Sequence, residues 1–138
     1  MLRGFATLSF YADDLAAARQ WYTELLGVEP YYAFPHPPQQ PAYVEFRVGD
    51  DEDELGIIDR RYAPGAPMSA PGGAVMFWHV DDLPAALARL EEMGATVHEP
   101  LTEREAGFAT ASVVDPFGNV LGVMYNPHYL AVLKARNG

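Results

Sequence analysis

The sequence predicts an α+β fold built from two tandem βαβββ modules, and three observations carry that expectation. The first is an internal repeat: Asp13-Asp14-Leu15-Ala16-Ala17-Ala18 returns 68 residues on as Asp81-Asp82-Leu83-Pro84-Ala85-Ala86. Leu26-Gly27 then matches Met93-Gly94 at an offset of 67, and Leu55-Gly56-Ile57 matches Leu121-Gly122-Val123 at 66. Three matches in one order at nearly one spacing mark a duplication. The second observation is that the apolar period switches from strand-like to helical and back within each copy. The third is tight-turn chemistry before the last strand of each copy, at Asp50–Asp53 and at Asp115-Pro116-Phe117-Gly118-Asn119.

Residues 5–12 alternate, Leu8 and Phe10 opposing Thr7 and Ser9, which predicts a half-buried strand. Asp13 or Asp14 then offers an N-cap oxygen, and Leu15, Ala18, Tyr22 and Leu25 recur at helical spacing. Gly27 stands where a left-handed cap residue ends a helix. In the second copy the strand is expected over 74–80 and the cap at Asp81 or Asp82. Pro84 falls in the first turn, where its missing N–H is harmless. Leu83, Ala86, Leu87, Leu90 and Met93 form the stripe, and Gly94 ends it. Three short strands follow each helix, at 28–34, 42–48 and 54–60 and again at 95–99, 107–114 and 119–125.

The 138 residues suit one domain, with module one at 1–61, a linker at 62–73, module two at 74–126 and a C-terminal tail at 127–138. Absence of cysteine excludes disulfides, zinc–thiolate sites and a cysteine nucleophile. No apolar run has the length of a membrane span, and Asp13-Asp14 ends the first apolar stretch without a cleavage-like segment, so a cytoplasmic protein is expected. Nine Lys and Arg against nineteen Asp and Glu give a net charge of −10, which repels nucleic acid and attracts small cations. The serines lack the strand-to-helix elbow of hydrolases, and Gly72-Gly73 lacks the lysine-bearing phosphate motif.

Asp14-Leu15 through Trp21-Tyr22 to Leu26-Gly27, Asp82-Leu83 to Gly94, and above all Asp115-Pro116-Phe117-Gly118-Asn119 together resemble the vicinal oxygen chelate superfamily. That group includes glyoxalase I, extradiol dioxygenases and the fosfomycin and bleomycin resistance proteins. The resemblance covers nearly the whole chain and implies sheets curled as one mixed sheet around a shared cleft, with helices outside. It also implies a homodimer, which the exposed strand edges and the apolar stretch Asn126–Leu133 support, the latter docking on its own or a partner chain. Whether modules pair within a chain or between chains stays open.

Metal-dependent relatives would place ligands at the positions held here by Thr7, Gly56, Val75 and Gly122. None of these side chains offers the imidazole, carboxylate or amide oxygen that divalent metals need. Sliding the match by two residues recovers Glu54 in one copy but only Val120 or Met124 in the other. No metal or cofactor is therefore expected.

Strand alternation then directs Phe5, Thr7, Ser9, Tyr43, Glu45 and Arg47 of module one toward the implied cleft. Module two contributes Val75, Phe77, His79, Phe108, Thr110, Ser112 and Met124, while Gly56 and Gly122 leave room at the centre. Thr7, Ser9, Tyr43, Glu45, Arg47, Phe77, His79, Phe108, Thr110 and Met124 form the candidate ligand-binding set. Some have a plainer reading: His79 as an edge histidine, Glu45 and Arg47 as a surface pair, and Phe77 and Met124 as core; outside the set, His36 lies in a stiff proline-rich loop at 34–41 that either edges the cleft or only bridges strands without ladder donors.

Three functions stand. The first is a metal-independent binding protein for a neutral or cationic aromatic molecule, similar to the bleomycin-resistance branch, which sequesters cationic aromatic drugs in acidic clefts. Seven Phe, eight Tyr and two Trp supply rings for such contacts. The second is a glyoxalase- or dioxygenase-like lyase or isomerase with a metal-free or unconventional site, using Glu45, His79 or Tyr125. The third is a scaffold whose cleft is filled by its own side chains.

Overall fold

A computed structural model describes residues 1–65 and 70–138. The chain divides into two compact units, Met1–Met68 and Ser69–Gly138. Each carries one βαβββ module, so the fold class is α+β with two tandem copies. Of the linker expected at 62–73, residues 66–69 lie outside the described residues.

In the first unit, β1 (Thr7–Ala12) leads into α1 (Leu15–Leu26), followed by β2 (Tyr32–Phe34), β3 (Tyr43–Val48) and β4 (Asp53–Asp59). The sheet runs β1-β4-β3-β2, with β1 parallel to β4 and the other pairs antiparallel. Asp14 is the N-cap, its carboxylate accepting from the Ala17 N–H at 3.0 Å. Gly27 closes the helix in the left-handed region at φ 72°, donating to the Thr23 carbonyl at 2.9 Å. Leu15, Ala18 and Tyr22 are the buried stripe, packed against the sheet face formed by Phe10, Val44, Phe46, Leu55 and Ile57. Burying each large apolar side chain contributes roughly 1.5–3 kcal/mol. The second strand is shorter than the expected 28–34 because Pro30 brings no ladder donor. Phe5 lies before β1 and is almost fully exposed, which corrects its expected place on the sheet face.

The second unit repeats the order: β5 (Phe77–His79), α2 (Leu83–Glu92), β6 (Thr96–Glu103), β7 (Ala109–Val114) and β8 (Val120–Tyr125). Its sheet runs β5-β8-β7-β6, the same permutation as the first. Asp82 caps α2 as Asp14 caps α1, accepting from Ala85 N–H at 3.0 Å. The ladder outlasts β5 at both ends, through Gly122 N–H to Met76 O at 3.1 Å and Val80 N–H to Met124 O at 2.9 Å. Strand β6 runs past the expected end at 99, and Pro100 is accommodated by shifts of register between Val97 and Thr102.

A third helix, α3 (Pro127–Asn137), takes the place of the expected tail, with Asn126 as N-cap to Tyr129 N–H at 2.9 Å. None of its residues is buried. Its start is held on its own unit: the Asn126 N–H donates to His79 Nδ1 at 3.1 Å, and the Tyr129 ring stacks on His79 at 4.8 Å.

Past β4, Asp59 accepts from the Arg61 N–H at 3.0 Å and from its guanidinium at 2.9 and 3.2 Å. Those bonds, side chain first, hold the Asp59 carboxyl below the usual aspartate range. A carboxyl depressed on folding contributes its stability in full above the unfolded value of about 3.9, and loses it as pH falls through the folded value. The expected result is that Asp59→Asn lowers the urea midpoint at neutral pH, with a gap from wild type that closes in acid. A gap that widens on acidification would refute this linkage.

Candidate functional site

Register assembles one polar and aromatic face on the first sheet. Glu45 in β3 lies between Gly56 on β4 and Tyr32 on β2, while Ser9 on β1 pairs with Gly56 from the other side. Tyr43 pairs with Phe34 and Ile58, and Arg47 with Glu54, which pairs in turn with Thr7. Thr7, Ser9, Tyr43, Glu45 and Arg47 therefore share one face, as their alternation predicts. The opposite face is the core under α1.

Local bonds define this face further. The Thr7 hydroxyl donates to Glu54 Oε2 at 2.7 Å, and the Tyr43 hydroxyl donates to Glu45 Oε1 at 2.7 Å. Burial first, then the bond to Glu45 and the charges of Glu45 and Glu54, push the Tyr43 phenol far above its ordinary range. Tyr43 is thus a fixed donor, not a base, at any physiological pH. The surface pair expected between Glu45 and Arg47 does not form. Arg47 turns its guanidinium onto the Tyr31 ring, 3.7 Å from the centroid, where a cation–π contact replaces an ion pair.

The room expected above Gly56 is taken. A Cβ built there would meet the Tyr43 hydroxyl at 2.5 Å and ring carbons at 2.6 and 2.9 Å. The tyrosine crosses from the neighbouring strand and closes over the glycine. Alternation within β4 gives no sign of this, because the filling group belongs to β3.

On the second sheet Phe77, His79, Thr110, Ser112, Gly122 and Met124 share a face through the pairs of β8 with β5 and β7. Gly122 too is covered: a Cβ there would lie 2.8 Å from Met76 O, 2.8 Å from Phe77 and 2.9 Å from Val75. Phe108, half-buried, continues the same alternation just before β7. Thr110 accepts from Arg104 Nε at 3.1 Å, and Met124 Sδ accepts from Asn126 at 3.7 Å.

His79 ends the edge strand β5, as the plainer reading has it, yet it is not exposed there. Its side chain is 7% exposed, with Nδ1 accepting from Asn126 N–H and Nε2 3.1 Å from Asp81. An N–H can only donate, so Nδ1 is bare, and the ring proton sits on Nε2 facing Asp81. Nδ1 thus holds the start of α3, while Nε2 faces Asp81 ahead of α2.

Tyr31 and Tyr32 escaped the sequence reading, and Phe34 and His36 entered it only through the proline-rich loop. Tyr32 and Phe34 are two apart on β2, and His36 sets its ring edgewise to both, at 5.5 and 6.2 Å. Tyr32 also lies 6.4 Å from Tyr43. With Tyr31 they make an exposed aromatic edge beside Glu45. The signal available was the spacing of Tyr32 and Phe34, masked by the short strand.

The family's metal does not fit these residues. Thr7 is committed to Glu54, and glycines covered by Tyr43 and by Val75 and Phe77 stand at two of the four positions where the resemblance would place ligands. Among the described residues no group of three or more His, Asp or Glu is close enough to hold a metal ion. Nor is any helix among them long and apolar enough to cross a membrane.

The family model of the Glyoxalase/Bleomycin resistance protein/Dioxygenase superfamily matches residues 4–123. A superfamily member from Sphaerobacter thermophilus is similar in structure, with a TM-score of 0.70 at 17% identity over 91% of this chain and 98% of that one. Lactoylglutathione lyase from Agrobacterium tumefaciens matches with a TM-score of 0.66 at 22% identity, over 94% of this chain and 98% of its own. A glyoxalase/bleomycin resistance protein from Catenulispora acidiphila gives 0.59 at 24% identity, covering 88% and 96%. At these identities the likenesses concern fold alone. No match was found among curated proteins.

Proposed function

The chain belongs to the Glyoxalase/Bleomycin resistance protein/Dioxygenase superfamily, and from that premise we propose that it is a metal-independent binding protein for a small aromatic molecule, neutral or cationic. The observation that carries this reading is the first sheet's face. Tyr32 and Tyr43 flank Glu45, Phe34 stands beside Tyr43, Glu54 lies on the same face two strands from the β2 edge, and the two glycines at expected ligand positions are covered by packing. Rings offer stacking and cation–π contacts, carboxylates favour positive charge, and the net charge of −10 extends that preference outward.

The test is a thermal-shift series with matched naphthyl ligands bearing cationic, neutral and anionic groups. A ligand at a hundred times its Kd adds about 2.7 kcal/mol by mass action, a rise of several degrees. Cationic and neutral members should stabilise and be recovered unchanged. Stabilisation by the anion alone, or turnover of the ligand, would sink the reading. Elemental analysis of dialysed, tag-free protein should find no stoichiometric divalent metal, and one retained zinc, iron, nickel or manganese per chain would count equally against it. A homodimer belongs to the same proposal, and a monomer mass by light scattering at micromolar concentration would remove it.

A further inference from the structure

Glu45 is a carboxylate surrounded by rings and left without a cationic partner among the described residues. One oxygen accepts from Tyr43 at 2.7 Å. The other accepts no protein hydrogen bond among the described residues and is not sealed from solvent. Its register partner on β2, the last strand of this sheet, is Tyr32, 39% exposed, which stands 6.4 Å from Tyr43. The nearest candidate counter-ion on the same face, Arg47, is stacked 3.7 Å over Tyr31 instead. A second carboxylate, Glu54, lies on β4 two residues from Gly56 and, among the described residues, accepts from a neutral hydroxyl, that of Thr7. Tyr43 is held protonated by its burial and by both carboxylates, so it brings a proton donor and no charge.

We propose that Glu45 anchors an organic cation carrying N–H donors, a protonated amine or amidine on an aromatic ring, with the ring lying against Tyr32 at the β2 edge. This rests on the small-molecule reading above and narrows its ligand class. Rings alone would hold a permanently methylated ammonium as well as a protonated amine, because the attraction of a cation to a ring face needs no hydrogen bond. A half-buried carboxylate with an open oxygen discriminates between them: a charge-assisted N–H···O bond is about twice as strong as a neutral one, and a trimethylammonium cannot make it. Neutral aromatics lose both contributions. Anions meet two carboxylates.

The experiment compares 2-naphthylmethylammonium, its N,N,N-trimethyl counterpart and 2-naphthoate by fluorescence titration on the full chain. Wild type and Glu45→Gln are measured, with Tyr32→Leu as a second variant. The expected result is that wild type binds the primary ammonium about tenfold tighter than the trimethyl compound, the factor that 1.4 kcal/mol represents. Glu45→Gln keeps the shape of the site and erases that preference, while Tyr32→Leu weakens both cations together. Thermal midpoints of the free variants establish that each folds. Equal binding of the two cations by wild type, or a preference that survives Glu45→Gln, overturns the anchor role while leaving aromatic binding standing. Failure of all three naphthyl compounds to bind overturns both the anchor and the small-molecule reading.

Discussion

Asp115→Ala should cost about 3 kcal/mol or more of unfolding free energy, the largest single loss expected from any surface-turn position in this chain. Asp115 is only 3% exposed, and its carboxylate is the hub of the turn between β7 and β8. One oxygen accepts from Phe117 N–H at 2.9 Å and from Asn119 N–H at 2.8 Å, and the other from the Asn119 side-chain amide at 3.0 Å. The turn is also closed by Asp115 N–H to Asn119 O at 2.8 Å. Alanine removes every side-chain acceptor at once and leaves those donors half-buried without partners. Hydrogen bonds to a charged group contribute about 1.5–3 kcal/mol each, and stranded donors cost about 1–3, though the sum is not additive. Against a total stability of about 5–15 kcal/mol the loss is severe. Asp115→Asn keeps one acceptor oxygen and should lose roughly half as much. Urea unfolding of both variants measures this, and an alanine variant within about 1 kcal/mol of wild type would show that the hub is dispensable.

That same turn was the most legible feature of the chain, because an Asp whose side chain satisfies local amides leaves a fixed sequence signature. The helices were equally legible: capping by Asp14 and Asp82 and closure at Gly27 are local events, decided within a few residues. The duplication then carried the sheet order, since two copies of one pattern fold to one permutation. Alternation placed Thr7, Ser9, Tyr43, Glu45 and Arg47 on one face correctly for the same reason.

What stayed hidden depends on groups that meet across strands. That Tyr43 covers Gly56, that Arg47 prefers Tyr31 to Glu45, and that His79 pins α3 through Asn126 are each set by register and reach, not by period. The aromatic edge at Tyr32 and Phe34 was missed because Pro30 and Pro35 leave a strand too short to show its alternation. The cis bond at Phe34–Pro35 is likewise invisible in composition.

The duplicated glycines make the sharpest contrast, because one substitution should behave differently in the two copies. Neither residue has a positive φ, so conformational freedom is not the issue and only space decides. At Gly56 all three close neighbours of an added Cβ belong to the far end of the Tyr43 ring. The ring swings aside at the cost of its bond to Glu45, so Gly56→Ala should lose about 1 kcal/mol. Replacing Tyr43 by leucine beforehand should remove most of the steric part. At Gly122 one neighbour is the Met76 carbonyl at 2.8 Å, which also accepts the Gly122 N–H at 3.1 Å. No side-chain rotation relieves that contact. β5 must move off β8, which breaks a ladder bond and unpacks Val75 and Phe77 together, so Gly122→Ala should lose about 3 kcal/mol. Shaving Phe77 to alanine should not rescue it, since the backbone clash persists. For the same reason, Gly122→Glu, which would put a carboxylate at this expected ligand position, should unfold the second unit before it gains a metal. Equal losses for the two alanine variants in urea, or a folded Gly122→Glu protein that retains a divalent metal, would show that β5 yields more easily than its carbonyl contact implies.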